Sequence, residues 1–199
     1  MKTFQPFIAA ICAVFALQTA QATTVIPPSF DELVDQAQVI FQGTVTETQS
    51  QWAGEGASRR IVTYVTFKVD EAIKGEPGAS YTLRMLGGTV DGQTMEVTDS
   101  PKFKSGDRDI VFVENNGSQF IPLVGIMHGR FRVQQDKVTG REVVVSNAGH
   151  AVRDLAQLGK ADDHGHSKAA AHADAAAEAA ASLPTSDFKS AIRAKLNGR

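Results

Sequence analysis

Three histidines crowd together toward the C-terminal end, His164, His166 and His172, beside Asp162, Asp163 and Asp174. Imidazole and carboxylate together suit zinc, copper or nickel. Their spacing matches no closed four-ligand pattern, and the run that holds them, Lys160–Leu183, is dominated by alanine. The simpler reading is an Ala/His-rich polar linker in which these histidines are weak metal candidates. His128 and His150 stand alone. A second group, Asp91, Glu96, Asp99, Asp107 and Asp109, is rich in oxygen donors but lacks the Asp-x-Asp-x-Asp-Gly steps of a calcium loop. Lys102, Lys104 and Arg108 are interleaved with it, so a solvated loop surface is expected there.

For covalent chemistry the sequence offers little. There is no Gly-x-Ser-x-Gly and no His-Glu-x-x-His, and no pair of carboxylates is singled out. The residues point to no enzyme and to no cofactor, and a hydrolase whose site is not recognised stands as the lower alternative. What remains is a recognition feature: Trp52, the only tryptophan, with Arg59 and Arg60 in or beside the Gly-rich stretch Gln51–Arg59. An exposed aromatic flanked by cations is a usable patch for a protein partner. Its structural competitor is a Trp52 folded over the end of a barrel.

The elements that must position this patch follow from periodicity. Arg60–Gly75 (RIVTYVTFKVDEAIKG) alternates Ile61, Thr63, Val65, Phe67 and Val69 on one face with Val62, Tyr64, Thr66, Lys68 and Asp70 on the other. A β-branched run of this length is expected to bend and to serve a small barrel. Ala37–Gln49 reads as its hairpin partner, with Gly43 marking a bulge or a close approach. Ser80–Leu86, Thr94–Val97, Asp109–Glu114, Gln119–Ile126, Arg130–Gln135 and Glu142–Ser146 complete the expected strands, with turns at Asp91-Gly92 and Asn115-Asn116-Gly117. Ser29-Phe30-Asp31-Glu32 is a capping box opening a short helix over Phe30–Gln36. His150–Leu158 carries Val152, Leu155 and Leu158 at helical spacing, and Ser167–Ser182 is helix-prone through its alanines. Phe188, Ile192 and Leu196 share one face of a last helix, which either docks on the barrel or meets a partner.

Lys2, the apolar run Phe7–Leu17 and Ala20-Gln21-Ala22 have the form of a signal peptide cleaved after Ala22. The run is too short to span a bilayer. The expectation is an exported chain, periplasmic or secreted, with no membrane span after cleavage. The only cysteine, Cys12, would leave with the signal, so the mature chain is expected to be disulfide-free and held by core burial alone. A formal net charge of −2 argues against nucleic acid. The expected organisation is a signal over 1–22, a β-domain over 23–159, a linker over 160–185 and a short amphipathic helix over 186–199. The fold class is all-β with minor helix, an OB-like closed or partly open antiparallel barrel.

Several stretches resemble the netrin-like module, the OB-type barrel of tissue inhibitors of metalloproteinases. The run FDELVDQAQVIFQGTV from Phe30 is similar to the family's helix leading into a strand with glycine. Val65–Gly75 resembles its second strand with a Lys-Gly ending, and Asp107–Phe112 (DRDIVF) a later strand. The chain is also similar to uncharacterised exported bacterial proteins sharing the Lys-Gly, Gly-Gly and Gly-x-Phe-x-Val (Gly129–Val133) landmarks. The resemblance implies a barrel and, as an alternative to a binding module, inhibition of an exported metalloprotease through the mature N-terminus. Family inhibitors chelate the target's zinc with an N-terminal cysteine. Here the expected terminus is Thr23-Thr24, whose free amine and hydroxyl would take that role, stiffened by Pro27-Pro28.

Overall fold

The computed structural model describes residues 26–137, 139–160 and 182–198. Helix α1 (Phe30–Gln36) opens the described chain, and strands β1 (Val39–Ala53) and β2 (Arg60–Lys74) form a long hairpin. Then come β3 (Ser80–Leu86), the small hairpin β4 (Gly88–Val90) and β5 (Gln93–Met95), and β6 (Arg108–Val113), β7 (Arg130–Gln135) and β8 (Glu142–Ser146). Helix α2 (Thr185–Asn197) closes it. Six strands form one antiparallel sheet in the order β3-β2-β1-β6-β7-β8. The chain is all-β with minor helix, as its periodicity indicates. Among the described residues no helix is long and apolar enough to cross a membrane.

Alternation of side chains gives this sheet two buried faces. Along β6, Ile110 and Phe112 enter one cluster while Val111 and Val113 enter the other. On β1, Ile40 and Phe41 split the same way. The first cluster lies under the helices and includes Leu33, Val34, Phe131, Val144, Phe188 and Ile192. The second lies where β1, β2 and β3 curl, and includes Val45, Val65, Phe67, Leu83 and Met85. Val65 and Phe67 are buried as the period of the central strand requires, and Val69 packs at the cluster's edge. Gly43 sits at a register shift between β1 and β2. A Cβ there would stand 2.8 Å from the Lys68 carbonyl oxygen, so only glycine permits the approach.

Of the closed and partly open forms expected, the sheet takes the open one. The ladder of strands is open, with no pairing of β3 to β8 among the described residues. The segment 115–124 instead joins β3 to β6 beside the second cluster. It bonds to β6 through Glu114 N–H to the Pro122 carbonyl (3.2 Å) and Val124 N–H to the Phe112 carbonyl (3.0 Å). It bonds to β3 through Leu86 N–H to the Phe120 carbonyl (2.7 Å). The strand expected over Gln119–Ile126 is therefore a run of turns with one bridge, Val113 to Leu123. Pro122 brings no N–H, and Ile126 adopts φ 62°, which no ladder accommodates.

The helix expected over His150–Leu158 is also absent. Val152 N–H donates to the Val144 carbonyl and its own carbonyl accepts from Leu183 N–H, so the segment is spent covering β8. Only a 3₁₀ turn, Leu155–Gln157, forms beyond it, with Asp154 accepting from Ala156 N–H (2.9 Å). The helix considered over Ser167–Ser182 lies, save for Ser182, outside the described residues.

Local chemistry fixes the two helices. Ser29 Oγ accepts from Glu32 N–H, and the Glu32 carboxylate accepts from Ser29 N–H at 2.8 Å, the capping box read from sequence. Those bonds hold the Glu32 carboxyl below its ordinary pKa. At the other end of α1, Lys74 Nζ donates to the carbonyls of Val34 (2.7 Å) and Asp35 (3.3 Å), and burial lowers its pKa. Helix α2 docks on the sheet. Phe188 and Ile192 are fully buried, and the Phe188 ring lies 4.9 Å from Phe131, 6.0 Å from Phe30 and 6.2 Å from Phe112. Burial of each of these two side chains contributes about 1.5–3 kcal/mol. Lys189 bridges Gln42 and Glu71, Arg193 pairs with Glu71, and Lys195 pairs with Asp31 at 2.8 Å.

Candidate functional site

The β1–β2 hairpin carries Trp52 to its far end. Register sets Trp52 opposite Ile61 and Ala53 opposite Arg60, so Trp52 lies on a strand and not in the loop. The loop is Gly54–Arg59, shorter than the Gln51–Arg59 stretch read from composition, and holds a 3₁₀ turn at Gly56–Ser58. Gly54 takes φ +79°, and a Cβ there would meet the Ser58 carbonyl at 2.7 Å. The turn brings the Arg59 guanidinium 4.1 Å above the Trp52 ring. A guanidinium at that distance from an indole face gains about 0.5–1 kcal/mol where exposed. Arg60 is exposed beside it, and Trp52 itself is half-buried. The structure thus brings Trp52, Arg59 and Arg60 together.

Farther along the hairpin lies a cleft of about 200 Å³ lined in part by Ser50, Thr63, Met85, Gly88, Lys102 and Phe103. The hydroxyls of Ser50 and Thr63 are 2.8 Å apart, and Thr63 Oγ1 donates to the Gly87 carbonyl at 2.6 Å. A Cβ on Gly88 would come within 2.4 Å of both hydroxyl oxygens. The Gly-Gly pair is what lets the chain pass over them toward β4. The other two landmarks have equally local reasons. In Lys-Gly, Lys74 caps α1, and a Cβ on Gly75 (φ +72°) would stand 2.9 Å from the Gln38 carbonyl oxygen. In Gly-x-Phe-x-Val, a Cβ on Gly129 would strike the Val124 and Phe112 backbone at 2.8–2.9 Å, while Phe131 and Val133 are buried.

The acidic region is the solvated surface expected at Asp91, Glu96 and Asp99, which are exposed, but not at Asp107 and Asp109. Asp109 is fully buried and Arg130 is 3% exposed. Arg130 Nε and Nη2 donate to the two Asp109 oxygens at 3.0 and 3.1 Å, and Nη2 also donates to Asp107 at 2.8 Å. Nη1 donates to the Lys102 carbonyl at 2.8 Å, and the Phe103 ring stacks 4.1 Å away. Burial pushes the Asp109 carboxyl up to about 6 against the pull of Arg130. This network joins β6, β7 and the 102–107 loop. It escaped the sequence reading because charges were judged against neighbours along the chain. The available signal was that Asp109 directly precedes the apolar run Ile110–Val113 on β6 and Arg130 directly precedes Phe131 on β7.

Thr23, Thr24, the cleavage residue Ala22 and the histidines His164, His166 and His172 lie outside the described residues. Among those described, no three His, Cys, Asp or Glu side chains are grouped to hold a metal ion. Searches against protein-family models, curated proteins and solved structures return no match to this chain.

Proposed function

We propose that this chain is an exported, non-enzymatic binding module that meets a protein partner through the tip of its β1–β2 hairpin. The observation that carries the reading is the Arg59 guanidinium stacked on Trp52, with Arg60 exposed alongside. Tryptophan and arginine are the residue types in which interface energy concentrates. The stack holds both side chains in place before any partner arrives, which lowers the ordering cost of association. The cleft lined by Ser50, Thr63 and Lys102 lies farther along the same hairpin and gives a partner of the tip a neighbouring recess. The test is recovery of one partner by the intact chain and by Trp52→Ala and Arg59→Ala variants. A loss of about ten-fold or more, the equivalent of 1.4 kcal/mol, is expected for each. Equal recovery removes the tip from the interface.

A second reading, inhibition of an exported metalloprotease through Thr23 and Thr24, draws on the netrin-like resemblance and on the chain's path into α1. Pro28 packs on the Gly125 turn, where a Cβ would stand 2.9 Å from the proline ring, and Ile26, two residues earlier, is 83% exposed. A mature terminus extended by one residue should lose zinc-protease inhibition. Inhibition that survives the extension rules out a chelating wedge.

A further inference from the structure

The outer edge of β3 is closed by one side chain and one carbonyl. Arg84 N–H donates to Asn116 Oδ1 (3.0 Å), Asn116 Nδ2 donates to the Thr82 carbonyl (2.8 Å), and Leu86 N–H donates to the Phe120 carbonyl (2.7 Å). These are backbone groups that face away from β2, the ones an added strand would bond. A carboxamide offers the donor and acceptor of a peptide group. Asn116 therefore stands in for a missing strand. It is presented by a stiff turn: Asn115 has φ 49°, Ser118 and Gln119 N–H both donate to the Asn115 carbonyl, and Asn115 N–H donates to Gln38 Oε1 at 2.9 Å. The opposite edge of the sheet is covered differently, by backbone. Val144 N–H donates to the Leu183 carbonyl and Ser146 N–H to the His150 carbonyl.

We propose that Asn116 is a guard that keeps β3 from pairing with β3 of a second copy of the chain. A strand edge of this kind is a template for another edge of the same sequence. Two antiparallel registers, placing Arg84 against Thr82 or against Leu86 of the second copy, satisfy the outward groups without opposing arginine to arginine. Phe120, 61% exposed, stands at the end of this edge and adds apolar area for the second copy to cover.

Sedimentation velocity on a concentration series tests this. Asn116→Ala, in an exposed turn, is expected to tighten self-association at least about ten-fold, because two hydrogen bonds no longer compete for the edge. Adding Arg84→Pro should return the variant to the weak association of the unmodified chain. It removes the outward N–H that a second strand needs and leaves the β2 ladder intact. Unchanged association of Asn116→Ala overturns the proposal, and so does association that persists in the double variant, which places contact elsewhere. If Asn116→Ala does not fold, Asn116→Asp carries the same test. It keeps the acceptor for Arg84 and turns an oxygen toward the Thr82 carbonyl, so tighter association supports the guard and unchanged association overturns it.

Discussion

Arg130 brings one positive charge to two carboxylates, and its burial makes the imbalance matter. Removing a charge in water is nearly free, but Arg130→Met leaves Asp109 dry and unpaired, at a cost of about 3–5 kcal/mol at neutral pH. Urea unfolding checks this. The deficit should shrink on acidification, because Asp109 then takes a proton and no longer needs a counter-charge. In the unmodified chain the sign runs the same way. A carboxyl near 6 when folded and 3.8 when unfolded binds protons more readily in the folded state. Its unfavourable contribution is complete above pH 6 and is relieved as pH falls from 6 toward 3.8. Glu32 acts oppositely: its lowered folded pKa adds stability above its ordinary 4.5, which is lost as pH falls through the folded value. Asp109→Asn should abolish the gain between pH 6 and 4.5 and leave the Glu32 trend. A melting-temperature profile that keeps its acid-side rise in Asp109→Asn contradicts this.

At the scale of elements, what could be read in advance was what short-range patterns decide. DIVFVE alternates between two buried faces, so β6 was legible. The capping box fixed where α1 begins, and the four-residue spacing of Phe188, Ile192 and Leu196 fixed a helical face. Whether that face docks was not legible, because the partners of Phe188 come from Phe30, Phe112 and Phe131, far away in the chain. The misread stretches share a cause. Val152 fits a helix by spacing but is held extended by Val144 and Leu183, and Gln119–Ile126 is shaped by contacts to β3 and β6. Long-range hydrogen bonds outweigh local propensity in both places. Trp52, Arg59 and Arg60 were legible as a group, whereas the stack itself needed the register of β1 on β2. Docking of α2 carries its own prediction. Phe188→Ala should cost about 3–5 kcal/mol in denaturant unfolding, since aromatic rings on several sides cannot collapse into the void. A loss below about 1 kcal/mol, in the range of surface changes, would mean the helix is dispensable.

For the molecule as a whole, one sheet separates two hydrophobic clusters, and both draw on β1 and β6. Neither cluster survives loss of those strands, so the described body should unfold in a single transition. The far half of β1 is the more exposed part, although Ile61 and Val62 opposite it on β2 are buried. Thr46–Gln49 are exposed on β1, and Trp52 lies beyond them. Tryptophan fluorescence should begin to change at lower urea than far-ultraviolet circular dichroism, reporting fraying of the tip. Coincident curves would show that the hairpin is rigid to its end. The docking of α2 also bears on timing. Gln42 meets Lys189 across a separation of 147 residues. A polypeptide emerging N-terminus first leaves Leu33, Ile110 and Phe131 uncovered until Phe188 and Ile192 of α2 have followed them out. Completion of the native packing is thereby deferred until α2 has emerged, a delay that exposes the earlier part of the chain to chaperones and proteases meanwhile.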